Sequence, residues 1–231
     1  MRPIHRGDAP QTYERYQEAI GDLEERLGSY CSYCERRLPV SLAVEHVTPK
    51  SVVPTLETTW SNFLLGCTNC NSVKGARETN AADFLWPDRD NTLSAFRYRA
   101  GGIVETAPVL DADARPLAEK LRDLVGLDRH PLAPRGRRPA RRDKRWKDRE
   151  QVWALAEGQK ATLTDFPEAV RPAARTLILD TAAGYGFFSV WMTVFADDRE
   201  IRRGLIARMA GTALDCFDAE GLPVPRPNGR I

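Results

Sequence analysis

Four cysteines stand as two Cys-x-x-Cys pairs, Cys31 with Cys34 and Cys67 with Cys70, and 32 residues separate the pairs. A turn of this kind aims both sulfurs at one centre, and two such turns complete a tetrahedral thiolate site for Zn²⁺. With all four positions filled no coordination site stays open, so this zinc would be structural. The competing reading is two unrelated redox or incidental pairs. The coincidence of two pairs in one chain favours zinc. Cys216 stands alone and reads as a buried small hydrophobe.

The segment between the pairs is longer than in the commonest zinc ribbons, so something is inserted there. It contains VEHVTPK, residues 44–50, with one of the chain's three histidines beside a carboxylate. Neutral imidazole has a pKa near ~6.5, so His46 is able to take a proton from water at neutral pH. Glu45 is a hard anionic ligand suited to Mg²⁺ or Mn²⁺. The two side chains are adjacent in sequence and would face opposite sides of a regular strand, so a shared site requires a distorted strand end, which Pro49 helps to shape. Taken alone, His46 would more often be a satisfied structural histidine or a zinc ligand replacing a cysteine. Its place inside the cysteine frame reverses that preference. Lys50 and Lys74 offer point charges to phosphate. His5 and His130 lack such surroundings and read as surface groups.

The elements that must position these residues follow from patterning. Tyr13, Tyr16, Ile20, Leu23 and Leu27 recur at steps of three and four, which predicts a helix over 11–27 capped by Gly28. Residues 38–44 suit a strand leading into His46. The apolar run from Trp60 to Leu65 leads into the second cysteine pair, and a helix start followed by loop is expected over 71–86. Residues 95–99 and 103–106 alternate around Gly101 and Gly102, a hairpin pattern. A helix is expected over 115–127. HPLAPRGRRPARRDKR follows, with seven basic residues between Arg135 and Arg145 against one acid, Asp143. It reads as an exposed loop or as a phosphate-tracking arm using Arg137, Arg138, Arg141 and Arg142. The rest, about 146–217, reads mostly as helices. Its apolar stretch GYGFFSVWMTVF is either core or a docking anchor for a partner.

Composition sets the limits. The chain has 231 residues, 42% hydrophobic and 29% charged, as in an ordinary globular protein. The net charge of +2 means that a nucleic-acid partner must be met by a local basic surface. No apolar run reaches a membrane span, and the opening MRPIHRGDAP has no signal-peptide pattern. The expected compartment is the cytoplasm, with no membrane association.

Taken in order, EHVTPKS, WSNFLLGC and CTNCNSVK resemble the HNH endonuclease family, and the match covers about residues 30–74. That family carries a carboxylate–histidine pair, then an asparagine, then a histidine or asparagine, on a hairpin packed against a helix. The resemblance implies an α+β fold class: a zinc-stapled ββα-metal module, treble-clef-like, within a mostly α-helical protein. It implies that His46 is the base, that Asn71 joins Glu45 as a ligand of a catalytic Mg²⁺ or Mn²⁺, and that Asn62 braces the loop holding His46. Many relatives have a histidine where Asn71 stands and an aspartate where Glu45 stands. A neutral amide is the weaker ligand.

A wider resemblance rests on MRPIHRG, YCSYCERRL, LWPDRDNT, LVGLDRHP, RWKDRE, FFSVWMTVF and GTALDCFD. These runs are similar to the PtuB-like family, the HNH components of Septu (PtuA–PtuB) anti-phage systems, some of them retron-associated. The implied partners are a PtuA-like ATPase and nucleic acid, DNA ahead of RNA. The expected organisation is an N-terminal helical segment (1–29), an HNH module (30–90), a hairpin-and-helix connector (91–132), a basic loop (133–145) and a helical domain (146–231) offering a surface to the ATPase. The alternative function is a zinc-stapled nucleic-acid-binding or adaptor module without turnover.

Overall fold

The computed structural model describes residues 1–77 and 79–231. Glu78, in the loop expected near the end of the cysteine module, lies outside the described residues. In chain order the regular elements are α1 (Ile20–Leu27), β1 (Leu42–His46), β2 (Phe63–Cys67), α2 (Thr68–Lys74), α3 (Thr92–Ala95), β3 (Phe96–Arg99), β4 (Ile103–Thr106), α4 (Ala114–Val125), α5 (Arg145–Asp165), α6 (Arg171–Tyr185), α7 (Phe188–Val194) and α8 (Arg199–Arg208). The strands form two separate antiparallel pairs, β1 with β2 and β3 with β4. The result is a mixed helix-and-strand fold with small sheets in a largely helical chain.

The first helix is shorter than its apolar periodicity predicts. A single 3₁₀ turn, Tyr16–Ala19, leads into α1. Before it, Tyr13 folds back to donate its hydroxyl to Asp22 (2.8 Å) and stacks on Trp60 at 5.9 Å. Its aromatic ring belongs to a strap across the module, which a regular helix would have carried away. The helix ends at Gly28, whose φ of 70° lies in the region glycine tolerates best.

Strand β1 sits further along the chain than expected. Leu38 donates its N–H to Ser29 (2.9 Å) and Tyr30 bridges Arg37, so the residues after the first cysteine pair close their own tight knuckle. Ser41 then turns with φ 78°, and pairing begins at Leu42. The register sets Leu42 opposite Cys67, Val44 opposite Leu65, and His46 opposite Phe63. Every residue of β2 is buried, which accounts for its unbroken apolar reading. The second hairpin forms with Phe96 opposite Thr106 and Tyr98 opposite Val104, their side chains mostly alternating buried and exposed.

The helices after residue 145 share one core with the cysteine module. Buried side chains from Leu23, Cys31, Phe63, Leu121, Val152, Trp191 and Leu205 belong to a single hydrophobic cluster. Glu35, buried within the knuckle, accepts hydrogen bonds from the hydroxyl (2.6 Å) and N–H (3.1 Å) of Ser189 on α7. Gly186, at φ 79°, lies so close to Glu35 that an added Cβ would meet its carbonyl oxygen at 2.4 Å. The apolar stretch Phe187–Phe195 is core: Phe188, Trp191 and Phe195 are all fully buried. Its aromatics are therefore unavailable as docking anchors. The basic segment also ends earlier than expected, because Arg145 is buried and opens α5. Among the described residues, no helix is long and apolar enough to cross a membrane.

Candidate active site and cysteine cluster

The four cysteines converge. All four sulfurs lie within 4.8 Å of one another, with Cys34 and Cys67 at 3.6 Å. A tetrahedron of ~2.3 Å zinc–sulfur bonds has edges of about 3.8 Å, so the cluster fits a four-thiolate zinc site. None is joined in a disulfide and all are buried. Two elements supply the ligands. Cys31 and Cys34 come from the knuckle before β1, and Cys67 and Cys70 from the junction of β2 and α2. Cys67 is the N-cap of α2, its sulfur accepting the N–H of Cys70 at 3.4 Å. A helix N-terminus favours negative charge, which suits thiolates there.

Strand β1 delivers Glu45 and His46 to its C-terminal end, and α2 delivers Asn71 and Lys74. These four, with Tyr16, Pro49 and Lys50, line one recess of about 270 Å³. His46 lies against the edges of Tyr16 (4.9 Å between ring centres) and Phe63 (5.3 Å). Its Nε2 is 2.8 Å from the carbonyl oxygen of Glu57. A carbonyl only accepts, so Nε2 carries the proton and the neutral ring keeps its lone pair on Nδ1. Burial pulls the His46 pKa below its usual value, against the Glu57 hydrogen bond, and the nearby Lys50 and Lys74 add to the fall. The ring is neutral at pH 7, as a general base requires.

Asn62 ties down the loop between β1 and β2. Its Oδ1 accepts the N–H of Thr48 at 2.8 Å, and its Nδ2 donates to the carbonyls of Thr48 (2.9 Å) and Leu56 (3.2 Å). With Val47 donating to the Asn62 carbonyl at 2.9 Å, the residues on both sides of Pro49 are held by one amide. That loop contains Glu57, the acceptor for His46, so Asn62 reaches the imidazole through the backbone.

Glu45 is nearly inaccessible, and its Oε1 lies 2.8 Å from Lys74 Nζ. Burial pushes the Glu45 carboxyl up and Lys74 opposes that shift. Gly66 on β2 makes room for this side chain: a Cβ there would approach Glu45 Cβ to 3.0 Å. Oε1 accepts no aligned hydrogen bond despite its burial. Glu45 and Asn71 line the same recess, and Asn71 has no side-chain hydrogen bond among the described residues, so a carboxylate and an amide there fit a divalent cation. Two protein ligands suit Mg²⁺ or Mn²⁺, which retain several waters.

Among the expected phosphate contacts, Lys74 needs correction. Lys74 is 2% exposed and donates to the His46 carbonyl at 2.7 Å as well as pairing with Glu45. It is an internal strut and is not presented to a polyanion. Lys50 is half-exposed, paired with Glu57 at 2.7 Å and seated over the Tyr16 ring at 4.2 Å. Arg137 is engaged by Asp123 and by Asp128, the latter at 3.0 Å. Arg138 is exposed and donates to the Ala133 carbonyl. Arg141 and Arg142 are exposed and pair with no carboxylate among the described residues. His130 is half-buried, with its Nε2 3.0 Å from the Gly101 carbonyl and its ring against Trp146. It is a packing residue, while His5 is exposed as expected.

The patterning does not single out Tyr16, Glu57 or Arg145. Tyr16 falls on an apolar helical stripe and carries no separate signal. Glu57 acts through its backbone, which no side-chain pattern reveals. Arg145 is one arginine in a basic run of seven.

Residues 31–77 match the family model described as HNH endonuclease. An HNH endonuclease domain indicates an enzyme that hydrolyses nucleic acid. No curated protein matches the chain.

Proposed function

We propose that this chain is a metal-dependent endonuclease in which His46 is the general base and Glu45 and Asn71 hold a catalytic Mg²⁺ or Mn²⁺. The observation that carries this reading is the common recess of Glu45, His46 and Asn71, beside a four-cysteine cluster that fits zinc. When bound, the divalent ion would supply charge stabilisation to the phosphate and its leaving oxygen. His46 Nδ1 takes the proton from the attacking water while the Glu57 carbonyl fixes the ring through Nε2–H. Asn62 keeps Glu57 and Pro49 in place around that ring. Lys74 holds the Glu45 carboxylate in place at 2.8 Å, where it would serve as a ligand of the divalent ion.

DNA is the preferred substrate in this reading, and exposed Arg138, Arg141 and Arg142 are its phosphate contacts. The resemblance of runs along the whole chain to PtuB-like proteins supports a finer role: effector of an anti-phage system in the cytoplasm, working with a PtuA-like ATPase. The buried Phe187–Phe195 stretch leaves that partner to another surface of the helical half. The test is plasmid cleavage with Mg²⁺ or Mn²⁺, with and without the ATPase, for the native chain and for Glu45→Gln and Asn71→Ala. Cleavage that needs the divalent ion and both residues supports the proposal. Strong nucleic-acid binding with no cleavage in any arm would favour the adaptor reading.

A further inference from the structure

Arg145 and Arg149 open α5 and are four residues apart, so they lie on the same face of the helix. Both are 2% exposed. Arg145 places all five of its N–H groups. Nη1 donates to Cys70 Sγ at 3.1 Å and to the Val125 carbonyl at 2.8 Å. Nη2 donates to the Gly126 carbonyl at 3.1 Å and to Asp143 Oδ2 at 2.7 Å, and Nε donates to Asp143 Oδ1 at 2.9 Å. Arg149 donates to the carbonyls of Gly102 and Leu127, both at 3.1 Å, while its Nη1 finds no partner. No carboxylate among the described residues pairs with it. A buried guanidinium without an anion is costly, and something must compensate its charge. A zinc ion in four thiolates carries net negative charge, and here it would be buried against Arg145, with Arg149 one turn further along the same helix face.

We propose that Arg145 and Arg149 are outer-shell positioning residues of the zinc–thiolate centre. Arg145 holds Cys70 through an N–H to sulfur bond, and Arg149 supplies charge that the thiolates balance. The centre then anchors the start of α5 and, through Asp143, the end of the basic segment. Its influence extends well beyond the hairpin that the cysteines enclose. This inference rests on the four cysteines holding zinc.

The zinc content of the purified full chain is measured first, and a folded, zinc-free chain overturns the zinc reading beneath the inference. With zinc present, its release to EDTA is followed with a colorimetric zinc indicator, and the cobalt-substituted protein is examined for its thiolate-to-metal charge-transfer band. Removing an outer-shell donor typically weakens metal binding by roughly 10- to 100-fold. Arg145→Met combined with Asp143→Asn, which avoids leaving a buried carboxylate unpaired, should release zinc faster by about that factor. Its cobalt band should shift to longer wavelength, because a thiolate relieved of its hydrogen bond donates charge more readily. Arg145→Lys should recover part of the loss. Arg149→Met leaves no carboxylate behind and decides the matter if the first variant fails to fold: accelerated release supports the inference. Native release rates and unshifted bands in folded variants overturn it.

Discussion

Lys74 Nζ lies 2.8 Å from Glu45 Oε1, and neither side chain is more than 3% exposed. A cation on α2 thus meets a carboxylate on β1 inside the protein, next to His46, whose carbonyl the same ammonium also engages. Removing one member of such a pair strands the other charge in a poorly solvated place. Lys74→Met should destabilise the chain by about 3–5 kcal/mol, read from denaturant unfolding. The salt dependence of nucleic-acid binding should stay as in the native chain. A stable variant with a shallower salt dependence would return Lys74 to the set of phosphate contacts.

Asn62 satisfies three backbone groups with one side chain. Asn62→Ala leaves the Thr48 N–H without its acceptor, so a loss of about 1–3 kcal/mol is expected. The Thr48 amide should lose protection from hydrogen exchange while zinc content is unchanged. Cleavage should fall with it, since the loop positions the Glu57 carbonyl against His46. Native protection at Thr48 would show that the loop is held by something else.

Much of this arrangement is legible in the residues alone. The two cysteine pairs and the Glu45–His46 doublet stand out by residue type and spacing, whereas Asn62 and Asn71 stand out only through the resemblance to HNH endonucleases. The hairpin at 96–106 follows from alternation around two glycines. The places where patterning misleads share one cause: side chains choose tertiary partners that periodicity does not encode. Tyr13 and Tyr16 fall on one helical face by spacing, yet Tyr13 reaches Asp22 and Trp60 while Tyr16 meets His46. Lys74 reads as a surface cation because lysine usually is one. Arg145 reads as the last residue of a loop, and its burial against Cys70 depends on a contact 75 positions away in the chain.

Cys67 serves twice, as a member of the sulfur cluster and as the cap of α2. Since zinc binding and folding are coupled in such sites, Cys67→Ser should lose zinc and either unfold or aggregate. Prolonged chelation of the native chain should do the same, read by circular dichroism. A soluble, zinc-free and active variant would remove the staple from the account.

The basic segment divides into engaged and available cations. Arg141→Ala with Arg142→Ala should weaken DNA binding and reduce the slope of log affinity against log salt by roughly 0.9 for each phosphate left unneutralised. Arg137→Ala should leave the slope nearly unchanged, because Asp123 and Asp128 already hold that guanidinium. Equal slopes for both variants would mean that the ion pairs open on binding.

The central claim is that the neutral His46 ring, fixed through Nε2 by the Glu57 carbonyl, is the base for phosphodiester hydrolysis. Its most direct test compares plasmid cleavage by the native chain and His46→Ala, both carrying the same zinc content, with Mn²⁺ and the proposed ATPase partner present. Loss of a general base typically lowers the rate on the order of 100- to 10,000-fold, and a fall of that size with folding and zinc intact is the predicted result. Cleavage by folded His46→Ala at the native rate would contradict it.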